Sequence, residues 1–265
     1  DDVEADGVVS PTCCARARRF LRPVRVLLAS HAFVAVILLS GFLYATRETF
    51  GQFGKSYLLD VYCRGSASAV ANGTAGTNTT SMADQAHDAC IESDDANAAA
   101  SFASTAFSLL GAISSLVIGF LRDRVDVHRR AALCLAFLLP GVGVMVLLSF
   151  EAYRLSLDAT TALIAVIGWS LLGPYSLVGG VFALELGGAE LSGTANALID
   201  GTGSFFAFFI MFAKGALSDR WRTLFAVLAG CMTMGVACIS FLWAADAKER
   251  RRERRNATES GSRGE

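Results

Sequence analysis

The sequence is short of charge. Only 18% of its 265 residues are Asp, Glu, Lys or Arg, 53% are hydrophobic, and the mean hydropathy is +0.47. A soluble domain carries about a quarter charged residues, so this composition argues against an ordinary water-soluble domain. The shortage is also uneven. Residues 26–46, 96–121, 131–150, 159–184 and 223–245 contain no Asp, Glu, Lys or Arg, and 191–213 contains only Asp200. A spanning helix needs about 20 apolar residues, and only helices or closed barrels satisfy their backbone in lipid. The runs are too long and unbroken for barrel strands, which alternate over about 10 residues. We therefore expect an all-α membrane protein with six transmembrane helices.

Other absences narrow the reading. The chain opens on Asp1 with a polar, arginine-rich segment instead of Met and an apolar core. It carries no visible signal peptide and reads as a fragment or a processed product. Its seven cysteines and three histidines show no metal-ligand spacing. We expect no metal, no cofactor, no nucleic-acid partner and no enzymatic activity. The formal net charge of −1 says nothing about partners, because the charges are segregated.

The charge that is present clusters. Arg16, Arg18, Arg19, Arg22 and Arg25 precede the first run, and Arg122, Arg124, Arg129 and Arg130 lie between the second and third. Lys248, Arg250, Arg251, Arg252, Arg254 and Arg255 follow the sixth. An even number of spans puts both ends on one side, and the positive-inside rule makes that side cytosolic. The expected organisation is a cytosolic basic linker at 1–25, a bundle at 26–245 and a cytosolic basic tail at 246–265. The expected spans are 26–58, 101–121, 131–150, 159–185, 193–213 and 223–245. The tail is either an ordinary topogenic cluster or a contact for anionic membrane lipid.

The outer loop, 60–100, is rich in Ala, Asn, Asp, Ser and Thr, has little to bury, and is expected to be mobile. It holds two glycosylation sequons, at Asn72 and Asn78, on the side that would be glycosylated. That suggests the endoplasmic reticulum or the plasma membrane. A third sequon, at Asn256, falls in the cytosolic tail and should be unused. Cys63 and Cys90 bracket the loop and can pair in an oxidising compartment. Cys134, Cys231 and Cys238 lie in apolar runs as packing residues. Cys13 and Cys14 are either palmitoyl acceptors beside a basic segment or ordinary thiols.

Polar residues inside the runs are the candidate functional groups. On a helix, Ser40, Tyr44, Arg47, Gly51 and Lys55 fall within about 80° of one another. Glu48 and Gln52 flank this stripe, and Leu43, Phe50, Phe53 and Tyr57 lie opposite. An intramembrane arginine usually marks a substrate or ion pathway, and a guanidinium fork suits phosphate or carboxylate. Alternatively Arg47 snorkels to the outer interface or only pairs with a buried acid. In the fifth run Asn196, Asp200, Gly203 and Ser204 share a face. Asp200 either carries a coupling proton, pairs with a cation, or fixes helix packing. Gly173-Pro174 predicts a bend in the fourth run, which is either a lining of a transport site or a simple kink.

The loop "GFLRDRVDVHRR" (119–130) resembles the G-x-L-x-D-R-x-G-R-R/K signature of the major facilitator superfamily through Gly119, Leu121, Asp123, Arg124, Arg129 and Arg130. "YATRETFGQFGKSYL" is similar to the seventh-helix pattern of that superfamily's organophosphate:phosphate antiporters, with Tyr44, Arg47, Phe53, Tyr57 and Leu58 in register. Lys55 stands where bacterial members have proline. "GPYSLVGGVFALELGGAELSGTANALIDG" resembles their tenth-to-eleventh helix region, and "IDGTGS" the sugar-phosphate and glycerol-3-phosphate exchanger branch. Tyr175 is out of register with the family's cavity tyrosines.

The resemblance implies a C-terminal six-helix half of a twelve-helix fold, whose partner is a missing N-terminal half. It implies an antiporter exchanging a sugar phosphate or glycerol 3-phosphate for inorganic phosphate by alternating access. Arg47 would contact substrate phosphate, with Tyr44 beside it; Lys55, a departure from the family pattern, is a further substrate-binding candidate through its place on the same helical stripe. Asp200 and Asn196 would gate or couple. Asp123, Arg124, Arg129 and Arg130 would form a loop latch. The alternatives are a proton-coupled organic-anion carrier in which Asp200 titrates, and a non-transporting receptor or scaffold.

Overall fold

The computed structural model describes residues 24–73, 87–126, 129–151, 154–216 and 220–261. Its main elements are α1 (His31–Gly73), α2 (Asp94–Arg124), α3 (Arg130–Glu151), α4 (Leu157–Leu177), α5 (Ala183–Ala216) and α6 (Trp221–Gly261). A π-helical turn, Val178–Phe182, joins α4 to α5 without a loop. The chain actually reverses later, at Gly188, where φ is 62°. That left-handed backbone suits glycine and strains other residues. Six segments are long and apolar enough to cross a bilayer: His31–Arg64, Asp94–Arg124, Arg130–Glu151, Leu157–Gly188, Glu190–Phe212 and Trp221–Ala245. The chain is an integral, multi-pass membrane protein.

The helices outrun the charge-free segments, and side-chain chemistry explains where they end. The first span starts at His31 and not at 26, because the helix is interrupted at Ser30, whose Oγ accepts from the Phe33 N–H at 3.4 Å. It does not stop at 58. Asp60 pairs with Arg64 one turn later at 3.1 Å and carries the helix onward as α1. The second span starts at Asp94 and not at 101. Ser93 caps it by accepting from the Ala96 N–H, and Asp94 and Asp95 face the positive end of the helix dipole. The loop expected over 60–100 is therefore largely helix, through Gly73 and again from His87. α6 likewise runs past residue 245 into the basic tail, as far as Gly261.

α1 lies at the centre and packs against α2, α4, α5 and α6, while α2 rests chiefly on α4, and α3 on α4 and α6. The face of α1 away from its polar stripe forms core, with Leu39, Leu43, Phe50 and Tyr57 buried. α2 and the fifth span are the least covered, at 22% buried each, and leave Phe102, Leu116, Phe208 and Phe212 open to lipid or protein.

Two seams position the site. Between α2 and α4, Gly168 lies against the backbone of Phe107. Ser114 Oγ donates to the Trp169 carbonyl, and Ser115 Oγ to that of Leu172 at 3.1 Å. Small residues and interhelical hydroxyl bonds are how apolar helices associate where no hydrophobic drive separates them from lipid. Between α1 and α5, Gly203 lies against Tyr44 and Gly41 against the Phe206 ring.

Candidate functional site

Arg47 lies 16 residues after His31 and 17 before Arg64, at the middle of the first span. It does not sit at a helix end. Tyr175 of α4 and Asp200 of α5 are also well inside their spans, Leu157–Gly188 and Glu190–Phe212. The Arg47 Cζ stands 5.0 Å from the centroid of the Tyr175 ring, a cation–π contact. The Tyr44 ring is 5.9 Å from the same ring. Tyr175 also lies within electrostatic reach of Asp200.

Local structure explains this convergence. Tyr44 and Arg47 are three apart on α1 and so share a face. Gly173 and Pro174 precede Tyr175, and Pro174 cannot donate to the carbonyl four residues back. The helix continues past it and then widens into the π turn. Beside Arg47 is a cavity of about 300 Å³ lined by Arg47, Glu48 and Gly51 of α1, Phe107 and Ser108 of α2, and Leu172 of α4. Resting on a ring face leaves the edges of a guanidinium, where its N–H groups point, available for a bidentate anion.

The other candidates are distributed differently. Lys55 is exposed, eight residues or about 12 Å along the helix from Arg47, and outside this cavity. The structure does not bring the two together. Asp200 is exposed and accepts from Asn196 Nδ2 at 3.2 Å, one turn apart. Of the four loop candidates, Arg130 reaches across the bundle and pairs with Glu185, in a contact more than two-thirds buried. Arg124 lies over the Phe120 ring at 4.2 Å, and Asp123 and Arg129 are exposed. At the opposite end of α2, Cys63 and Cys90 form a disulfide with Cα atoms 5.6 Å apart. Asp60 there also meets His87 Nε2 at 3.1 Å. Asn72 belongs to α1, but its side chain lies outside the described residues, as do Asn78, Cys13 and Cys14.

Sequence reasoning did not assign a role to Tyr175 or Glu185. Tyr175 was set aside because it falls out of register with related tyrosines. Its place directly after Gly173-Pro174 was the available signal. Glu185 is a matching position, with Leu186, in the resemblance to the tenth-to-eleventh helix region, and it is also the first acid after a charge-free span.

No family model matches the chain. It is 30% identical over 133 residues to the "Glucose-6-phosphate exchanger SLC37A1" of Homo sapiens, an alignment covering 47% of this chain and 24% of the relative. It is 28% identical over 169 residues to the "Putative glycerol-3-phosphate transporter 1" of Arabidopsis thaliana, covering 60% and 32%. It is 26% identical over 154 residues to the "Probable hexose phosphate transport protein" of Chlamydia pneumoniae, covering 57% and 34%. The alignments thus span about a quarter to a third of the length of these relatives. Three such relatives, the loop signature and a six-helix bundle agree: the chain is similar to the organophosphate:phosphate antiporters of the major facilitator superfamily, and its six-helix bundle is consistent with one half of that fold.

Proposed function

We propose that this chain is the C-terminal half of a carrier that exchanges a sugar phosphate or glycerol 3-phosphate for inorganic phosphate across a membrane of the secretory pathway. The observation that carries the reading is Arg47: a guanidinium at mid-span, oriented by the Tyr175 ring, beside a cavity. An arginine at that depth is costly unless it serves a substrate path. Its fork matches the oxygens of a phosphate monoester. The relatives' printed names, a glucose-6-phosphate exchanger and a glycerol-3-phosphate transporter among them, support the same substrate class.

In this reading Arg47 works opposite a cation from the other half of the carrier. The two halves rock about the bound phosphate, and the loaded, charge-compensated carrier crosses most readily. The Arg130–Glu185 pair lies at one end of the bundle and opens or closes with the gating state.

The test is exchange of labelled inorganic phosphate in proteoliposomes by the full-length protein. Arg47→Lys keeps the charge and loses the fork, so exchange should fall by about tenfold or more. Near-normal exchange by Arg47→Lys would count against bidentate phosphate binding here.

A further inference from the structure

The cavity beside Arg47 also has an acid in its wall. Glu48, the next residue on α1, faces the same space of about 300 Å³. It is half-buried near the middle of the span, and among the described residues nothing hydrogen-bonds or ion-pairs with its carboxylate. Its neighbour Arg47 is turned onto the Tyr175 ring. An unpartnered carboxylate at that depth is expensive, and such groups mark function.

The opposite wall belongs to α2. Ser108 contributes a hydroxyl that has no hydrogen-bond partner among the described residues. Phe107, stacked on Phe50 at 5.7 Å, contributes an apolar surface. A guanidinium fork, a free carboxylate, a free hydroxyl and a ring form an asymmetric set. The fork takes an anion, whereas the carboxylate accepts hydrogen bonds only from donors. Inorganic phosphate offers Glu48 mainly negative oxygens, and an alkyl phosphate offers it no donor. A phosphomonoester carrying several hydroxyls satisfies both ends. Glu48 therefore attracts one class of ligand and repels another, and selectivity needs both. The cavity is at the small end of ligand pockets, which suits a single sugar or polyol phosphate.

We propose that Glu48, assisted by Ser108, is the specificity-determining residue of this site, reading the hydroxyl groups of a polyhydroxylated phosphomonoester whose phosphate Arg47 holds. The proposal rests on the phosphate-exchange reading above.

The test uses the full-length protein in proteoliposomes loaded with inorganic phosphate. Uptake of three labelled probes is compared: inorganic phosphate, glucose 6-phosphate, and propyl phosphate, which lacks hydroxyls. The readout is the ratio of glucose 6-phosphate to propyl phosphate uptake. Glu48→Ala should lower that ratio about tenfold or more, as expected for losing a charged hydrogen bond. Glu48→Gln keeps one acceptor oxygen and should lower it less, and Ser108→Ala should lower it a few-fold. A residue that only supports the fold would slow both probes alike, so an unchanged ratio in Glu48→Ala overturns the proposal. For variants too slow to assay, the melting-temperature rise that each probe produces in detergent supplies the same ratio. A wild-type protein that exchanges inorganic phosphate but does not distinguish the two organic probes sinks this inference alone. A wild-type protein that exchanges no phosphate sinks the carrier reading with it.

Discussion

Glycine makes both the α2–α4 seam and the α1–α5 seam, but the two bring different things together. At the first, Gly168 meets the main chain of Phe107, and a methyl group there would run into a carbonyl that cannot turn aside. At the second, Gly203 meets the Tyr44 side chain, with an added Cβ 3.0 Å from the nearest atoms. Main chain against main chain cannot slide without losing contact, and Ser114 and Ser115 tie the two helices further. The second misfit is only a few tenths of an ångström, and because Tyr44 Cβ is among the nearest atoms it is taken up by a small shift of α1 against α5. The Arg47–Tyr175 contact bridges these regimes. Tyr175 rides on the tightly seamed α4, and Arg47 rides on α1, whose partner is the more compliant α5. A carrier needs such a division: one element to hold geometry and one to change it.

The largest effect that would test this contrast is at the tight seam. Gly168→Ala should destabilise the bundle by about 3 kcal/mol, the upper range for overpacking, read as a lowered melting temperature in detergent. An unchanged melting temperature would mean that α2 and α4 can separate freely, and the contrast would collapse. Next in size is Ser114→Ala, which removes the hydroxyl bond to the Trp169 carbonyl and should cost about 0.6–1.7 kcal/mol. If it costs more than Gly168→Ala, hydrogen bonding and not close approach holds the seam. The smallest change in stability is expected at the compliant seam. Gly203→Ala should cost less than about 1 kcal/mol, because Tyr44 can shift by a few tenths of an ångström. That shift displaces the ring neighbouring Tyr175, so phosphate exchange should drop a few-fold although the fold persists. Loss of stability without loss of exchange would reverse the roles given to the two seams.

The transmembrane plan was legible because lipid imposes a strong, local constraint: charge is excluded from about 20 residues at a time. Helix ends were much less legible. Outside the apolar layer a helix continues or stops according to single side chains, such as the Ser93 cap or the Asp60–Arg64 pair, and these have no compositional signature. At the site, the shared face of Tyr44 and Arg47 followed from helical spacing. The place of Arg47 along its helix did not, because the break at Ser30 and the extension beyond residue 58 leave no mark in the charge-free pattern. Partners far apart in the chain were invisible. Arg130 and Glu185 are 55 residues apart, and nothing local to either announces the other.

The π turn at Val178–Phe182 has a consequence for how this protein can vary. A π turn holds one residue more than an α turn, and in a straight α-helix one extra residue would rotate everything beyond it by about 100°. The widened turn absorbs that phase shift between Tyr175 and Glu185. The group that orients Arg47 and the group that clasps Arg130 therefore keep independent rotational settings on what is otherwise one rod. A change that re-aims the tyrosine need not disturb the Arg130–Glu185 pair, and the lining of the cavity can vary while that contact stays as it was.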